Sequence, residues 1–199
     1  MERIYCTRCL KKVSSSDLRH CPASNCGFAR PESGWARYEA RDTIIGDRFR
    51  VKKLAGSGGA GLTYKCLDLE TGETVALKVL HPGWRSGMVA QRLAREAEVL
   101  DFLSHPGVVP FHAVRMHGVD QPWLATTFMP GGSLNQRLRD QGPLDPSTVV
   151  DIGHQLARAL HEIHRQGIVH RDIKPANVLI EAEEGPLVVA HEPEARPKE

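Results

Sequence analysis

Four of the five cysteines fall within the first 26 residues, in the stretch "YCTRCLKKVSSSDLRHCPASNCGFARP". Cys6 and Cys9 make a C-x2-C pair, and Cys21 and Cys26 a second pair with four residues between. Two such pairs joined by a short polar segment can close a tetrahedral thiolate site for Zn2+. Disulfides and unliganded thiols are the competing readings, and a cytosolic setting disfavours the disulfide. Gly27 follows the last cysteine, where a knuckle turn often needs a positive φ. The stretch is too short and polar for a core of its own, so metal would supply its folding energy. Cys66 stands alone in a strand-like run and reads as a core thiol.

A second set of residues suits phosphate. Gly56, Gly58 and Gly61 form G-x-G-x-x-G. In a dinucleotide-binding fold such glycines open a helix, but here "LTYKCLDL" continues as a strand, which puts them at a hairpin tip. A tip without side chains can lie close over phosphates and offer backbone N–H groups. A flexible turn is the bland alternative. Lys78 lies in the apolar run "VALKVL", where a lysine is either on an exposed face or an inward charge that needs a partner. Glu96, beside the apolar stripe of "MVAQRLAREAEVLDFLSH", can reach back to it. A solvated helix face is the alternative there, and Glu98 is a competitor farther from the seam.

The elements that must position these groups can be read from patterning. At 199 residues the chain holds one ordinary domain plus a small appendage. The net charge of +2 implies no strong pull toward nucleic acid or anionic membrane. No apolar run approaches the ~20 residues of a membrane span, and "MERIYCTRCLKK" lacks the apolar region of a secretory signal. A cytoplasmic location is the expectation. Residues 31–47 read as a linker without periodicity. From Arg48, "RFRVKKLAGSGGAGLTYKCLDLETGETVALKVL" alternates as strand, glycine turn, strand, tight turn at Glu70–Glu73 and strand. Val89, Leu93, Ala97, Leu100 and Leu103 recur at helical spacing. Two strands, a Pro-Gly-Gly turn and a short helix follow. A longer helix then starts with Asp145 as N-cap and Pro146 at its first position. Its stripe is Val149, Ile152, Leu156, Leu160 and Ile163, and Gly167 ends it.

Then comes His170-Arg171-Asp172-Ile173-Lys174-Pro175-Ala176-Asn177. With it, three signals stand in order: glycines on a hairpin, V-A-x-K on the next strand, and H-R-D-x-K-x-x-N after a long helix. Residues from about 48 to 187 therefore resemble the first part of a protein kinase domain, closest to bacterial Ser/Thr kinases, and the N-terminal stretch resembles a zinc ribbon. The fold class implied is α+β. An upper lobe of antiparallel sheet plus helix (about 48–127) and an incomplete helical lower lobe (about 128–190) follow a ribbon at 1–30 and the linker at 31–47. A polar tail at 191–199 reads as disordered.

The resemblance implies roles. Leu54, Gly56, Gly58, Gly61 and Thr63 would cover ATP, and Lys78, fixed by Glu96, would hold its phosphates. Ala76, Thr126, Thr127 and Met129 would line the adenine. Asp172 would accept the proton of a substrate Ser or Thr hydroxyl, Lys174 would neutralise charge at the transferred group, and Asn177 would bind Mg2+. His170 and Arg171 would be scaffold. Thr127 and Thr63 are mild departures from the family pattern. The larger departure follows Asn177. A hairpin ending in "PLVV" is expected, but the place of Asp-Phe-Gly falls at His191-Glu192-Pro193, and no Asp follows Asp172. Nor is there an activation segment. The chain thus reads as kinase-derived and truncated, with little activity of its own and an exposed lower-lobe surface prone to self-association. Two other readings are a catalytically dead nucleotide-binding or scaffold module and a zinc-ribbon adaptor. Aromatic and basic residues are too sparse in the ribbon to suggest nucleic-acid binding.

Overall fold

A computed structural model describes residues 4–6, 13–22, 26–27, 29–30, 32, 36–37, 39, 41–58, 61–80, 97, 103–116, 122–170, 172–182 and 187–189. Cys9, Glu96, Glu98, Arg171 and the tail at 191–199 lie outside them, as does the expected helix near 88–105 apart from Ala97, which is helical and fully buried, and Leu103–His105. The chain divides into two units, Met1–Ala94 with Ala113–Ala125, and Arg95–His112 with Thr126–Glu199.

The first unit is built on β4 (Phe49–Gly58), β5 (Gly61–Asp68) and β6 (Thr74–Leu80), antiparallel neighbours in a six-stranded sheet of order β3-β4-β5-β6-β8-β7. The remaining strands are β3 (Ile44–Ile45), β7 (Phe111–Arg115) and β8 (Trp123–Thr127). Period-two alternation sends Phe49, Val51, Tyr64, Cys66, Val75 and Leu77 to one face, where they form a core with Trp123 and Ala125. Burial pushes the Cys66 thiol up to about 12, as suits a packing thiol. The turn after β5 closes through Gly72, at φ 77°, as its sequence implies.

Residues 31–47 hold more structure than the absence of periodicity suggests. Ala36–Arg37 forms β2, which pairs with β1 (Ile4–Tyr5), and β3 pairs with the start of β4. Strands of two residues carry no period to detect. Gly46, at φ 61°, lies against the Trp123 indole, so that a Cβ there would fall 2.7 Å from Nε1. Arg48 clamps the strand ends. Its guanidinium meets the wholly buried Asp68 at 2.9 and 2.7 Å and Glu70 at 2.7 Å. The hydrogen bond from Arg48 holds the Asp68 carboxyl down at about 2 against the opposing effect of burial.

The second unit contains α1 (Leu134–Gln141), α2 (Pro146–Arg165), a 3-10 turn at Pro175–Asn177, and the hairpin of β9 (Val178–Ile180) and β10 (Leu187–Val189). Ser133 caps α1, and Asp145 caps α2 by accepting the Thr148 N–H at 2.9 Å. Gly167 follows α2 at φ 77°. One stretch of α2, around Ile152, packs with Leu134, Val178 and Ile180. The other, Ala159 and Ile163, packs with Leu103 and Val108. Val149, expected in the buried stripe, is 52% exposed. It lies in the first turn, ahead of the Ile152 contact, and Ala159 takes a buried place instead.

Candidate active site

Cross-strand register sets out the upper-lobe residues. Gly56 pairs with Thr63, Thr63 with Lys78, and Lys65 with Ala76. Their neighbours Tyr64, Leu77 and Val79 fill the core, so Gly56, Thr63, Ala76 and Lys78 share the opposite face. Lys78 is 9% exposed there. Gly58 pairs with Gly61 at the end of the ladder. The two outer glycines differ in what the fold asks of them. A Cβ at Gly61 would run into the Val79 carbonyl oxygen, whereas a Cβ at Gly56 would meet nothing within 4 Å among the described residues. Packing explains Gly61. It does not explain Gly56, whose missing side chain leaves open space across from Thr63.

Leu54 is not on that face. A register shift between Leu54 and Gly56 sets Leu54 opposite Tyr64, and it packs against the core. A bulge re-aims side chains in this way, and alternation alone gave no sign of it. Ala55, at the irregularity, is the exposed residue. It is the neighbour of Gly56 that sequence reasoning missed.

Of the residues expected around adenine, Thr126 follows the core residue Ala125 along β8. The side chain of Thr127 is engaged by His112, with Nε2 2.8 Å from Oγ1, and its N–H donates to the Pro110 carbonyl. Met129 is buried with Val109, Leu179 and Val188, so its side chain has a packing role.

In the second unit the loop after α2 brings three polar side chains together. Lys174 Nζ lies 2.6 Å from Asp172 Oδ2, and Asn177 Nδ2 donates to the same oxygen and to the Asp172 carbonyl, both at 2.9 Å. Asn177 is buried, its place fixed by the 3-10 turn that Pro175 opens. His170, also buried, accepts the Asp172 N–H on Nδ1 at 3.3 Å. The hydrogen bond from Lys174 holds the Asp172 carboxyl below its ordinary value. Asn177 acts in the same direction, and burial opposes both. A carboxylate so held stays ionised at neutral pH and can accept a hydrogen bond from a hydroxyl.

The family described as protein kinase domain matches residues 49–190. The chain belongs to the protein kinase family. It is 41% identical over 144 residues to serine/threonine-protein kinase pkn2 of Myxococcus xanthus, covering 71% of this chain and 17% of that protein. It is 35% identical over 136 residues to serine/threonine-protein kinase PknD of Mycobacterium tuberculosis, covering 67% and 20%. The crystal structure of the Mycobacterium tuberculosis PknI kinase domain matches with a TM-score of 0.68 at 27% identity, covering 77% of this chain and 62% of that one. The chain thus spans about a fifth of these curated relatives' length and under two thirds of that kinase domain. Its fold is α+β and protein-kinase-like, and among the described residues no helix is long and apolar enough to cross a membrane.

Proposed function

We propose that this chain carries the nucleotide-gripping sheet and the catalytic loop of an ATP-dependent phosphotransferase acting on Ser or Thr of a protein substrate in the cytoplasm. The observation that carries the reading is the closed arrangement of Asp172, Lys174 and Asn177. It pairs an ionised acceptor for a hydroxyl with an ammonium that can neutralise phosphoryl charge. The first unit supplies the glycine hairpin and Lys78 for the phosphates. Ala76, Thr126 and the backbone near Thr127 and Met129 serve the adenine.

Magnesium is met only in part. Asn177 spends its amide nitrogen on Asp172, which leaves its carbonyl oxygen as one metal ligand. The position where the family places its acidic ligand reads His191-Glu192-Pro193. That donor set is too thin to hold Mg2+ by itself. The same observation favours a second reading, a nucleotide-binding module with little or no turnover.

Nucleotide binding, with and without Mg2+, tests the first reading. A fluorescent ATP analogue should bind weakly, and Lys78→Met should weaken it about tenfold, or 1.4 kcal/mol, while the thermal midpoint stays put. Equal affinity in the two proteins would remove Lys78 from the site. Transfer of labelled phosphate to Ser/Thr peptides separates the readings: detectable transfer that Asp172→Asn abolishes means a kinase, and binding without transfer means the inactive module.

A further inference from the structure

Apart from the kinase residues, one cluster in the first unit has the geometry of a metal site. Two hairpins frame it. The Val13 N–H donates to the Ile4 carbonyl at 3.0 Å, and the Arg30 N–H to the Arg19 carbonyl at 2.7 Å, beside a bridge between His20 and Ala29. The first hairpin carries Cys6, the second Cys21 and Cys26. The three sulfurs all lie within 4.8 Å of one another. Cys6 Sγ and Cys26 Sγ are 3.7 Å apart. A disulfide needs about 2.05 Å. Four sulfurs at about 2.3 Å from a tetrahedral Zn2+ are separated by about 3.8 Å, close to the distance found.

Two further observations point the same way. Gly27, directly after Cys26, is left-handed at φ 56° with open space where a Cβ would be. Among the described residues the apolar support is also slight: the cysteines pack with Ile4, Val13 and the partly buried Leu18. A cluster of that size does not fold 30 residues unaided, whereas thiolate–metal bonds would. Cys66 marks the contrast, as a lone buried thiol in an extensive core.

We infer that Cys6, Cys21 and Cys26, with Cys9 as fourth ligand from its C-x2-C spacing, bind one Zn2+ as a tetrathiolate, and that this site pins β1 to the kinase-like sheet. The pin is Tyr5. Along β1, Ile4 and Cys6 belong to the cysteine cluster, while Tyr5 between them is 2% exposed within the sheet core. The Glu39 N–H, just after β2, adds a bond of 2.9 Å to the Tyr64 hydroxyl of β5. Metal on one face of β1 thereby orders a strand whose other face completes the core of the first unit.

The full chain, purified under reducing conditions, should contain about one zinc per molecule. Its Co2+ form should show the strong sulfur-to-cobalt absorption of tetrahedral thiolate coordination. Cys26→Ser should lose the metal and Cys66→Ser should keep it. Because Cys26→Ser could fail to fold, the decisive measurement uses the unaltered chain. Removing zinc with a chelator should abolish amide-exchange protection at Ile4–Tyr5, and adding zinc back should restore it. Protein free of zinc yet fully protected at β1, an octahedral cobalt spectrum, or a Cys6–Cys26 disulfide in protein from reducing cells would overturn the site. Zinc that comes and goes without changing protection at Tyr5 would overturn the pin.

Discussion

The sheet of the first unit and helix α2 of the second differ in how fully they cover their apolar faces. In the sheet, Phe49, Val51, Tyr64, Val75 and Leu77 are all but inaccessible, and Trp123 packs edge-on against Phe49 at 4.9 Å between ring centres. On α2, Ile152, Ala159 and Ile163 are buried, but Val149 and Val150 are 52% and 69% exposed. Val169, just before the loop from His170 to Asn177, and Ile173, within it, are exposed as well. A self-contained sheet thus sits in the same chain as a helix with apolar residues on two sides. Stability should reside mainly in the first, and association in the second.

The largest effect should come from the sheet core. Phe49→Ala removes a fully buried ring and its partner contact with Trp123, and should cost about 3–5 kcal/mol. Urea unfolding checks this. A loss under about 1 kcal/mol would show that the sheet is less decisive than its burial implies. Next is the Arg48 clamp. Arg48→Ala leaves the buried Asp68 carboxylate without its counter-charge and should cost about 3 kcal/mol. The pair also has a pH signature. Asp68 is depressed to about 2 from an ordinary 3.8, so its contribution is complete above about 4 and is lost as pH falls toward 2. The Arg48 variant should lack that step in a stability profile, and an unchanged acid limb would break the assignment. Gly61→Ala comes third, at about 1–3 kcal/mol, because the added methyl must displace the Val79 carbonyl.

Much of this was legible from patterning. The three long strands, the turn at Gly72, the Asp145 cap and the β9–β10 hairpin all follow from alternation, helical spacing and turn chemistry. What escaped did so for local physical reasons. Strands β1, β2 and β3 have two residues each, too short to carry a period. The face of Leu54 was set by a bulge, which a period-two reading passes over. Val149 had the right spacing for burial, but spacing tells only which face a residue is on, and the packing of α2 begins at Ile152. In the candidate site, the order of the motifs singled out the loop from His170 to Asn177. The Lys174–Asp172–Asn177 bonding came only from the three-dimensional arrangement.

A smaller effect tests the second half of the comparison. Replacing Val149 and Val150 together by Lys alters two exposed side chains, so stability should change by no more than about 0.5 kcal/mol. Self-association should fall, since exposed apolar residues favour it. Light scattering across a concentration series reports on this. Scattering that is unchanged in the double variant would mean that this face of α2 does not drive association.

The last test separates folding from function within one hairpin. Gly56 has room for a Cβ and no left-handed φ, so Gly56→Ala should leave stability unchanged or raise it by about 0.4–1 kcal/mol through the unfolded chain. Gly61→Ala, five residues on, should do the opposite. If the open space at Gly56 exists because phosphate approaches the face shared with Thr63 and Lys78, the same Gly56→Ala change should weaken ATP binding by about tenfold, or 1.4 kcal/mol. Calorimetric unfolding and nucleotide titration on the two variants would show this crossing. A Gly56→Ala protein as destabilised as Gly61→Ala would mean that packing requires both glycines. A stable Gly56→Ala protein with full affinity would mean that the open space at Gly56 is not where the nucleotide lies.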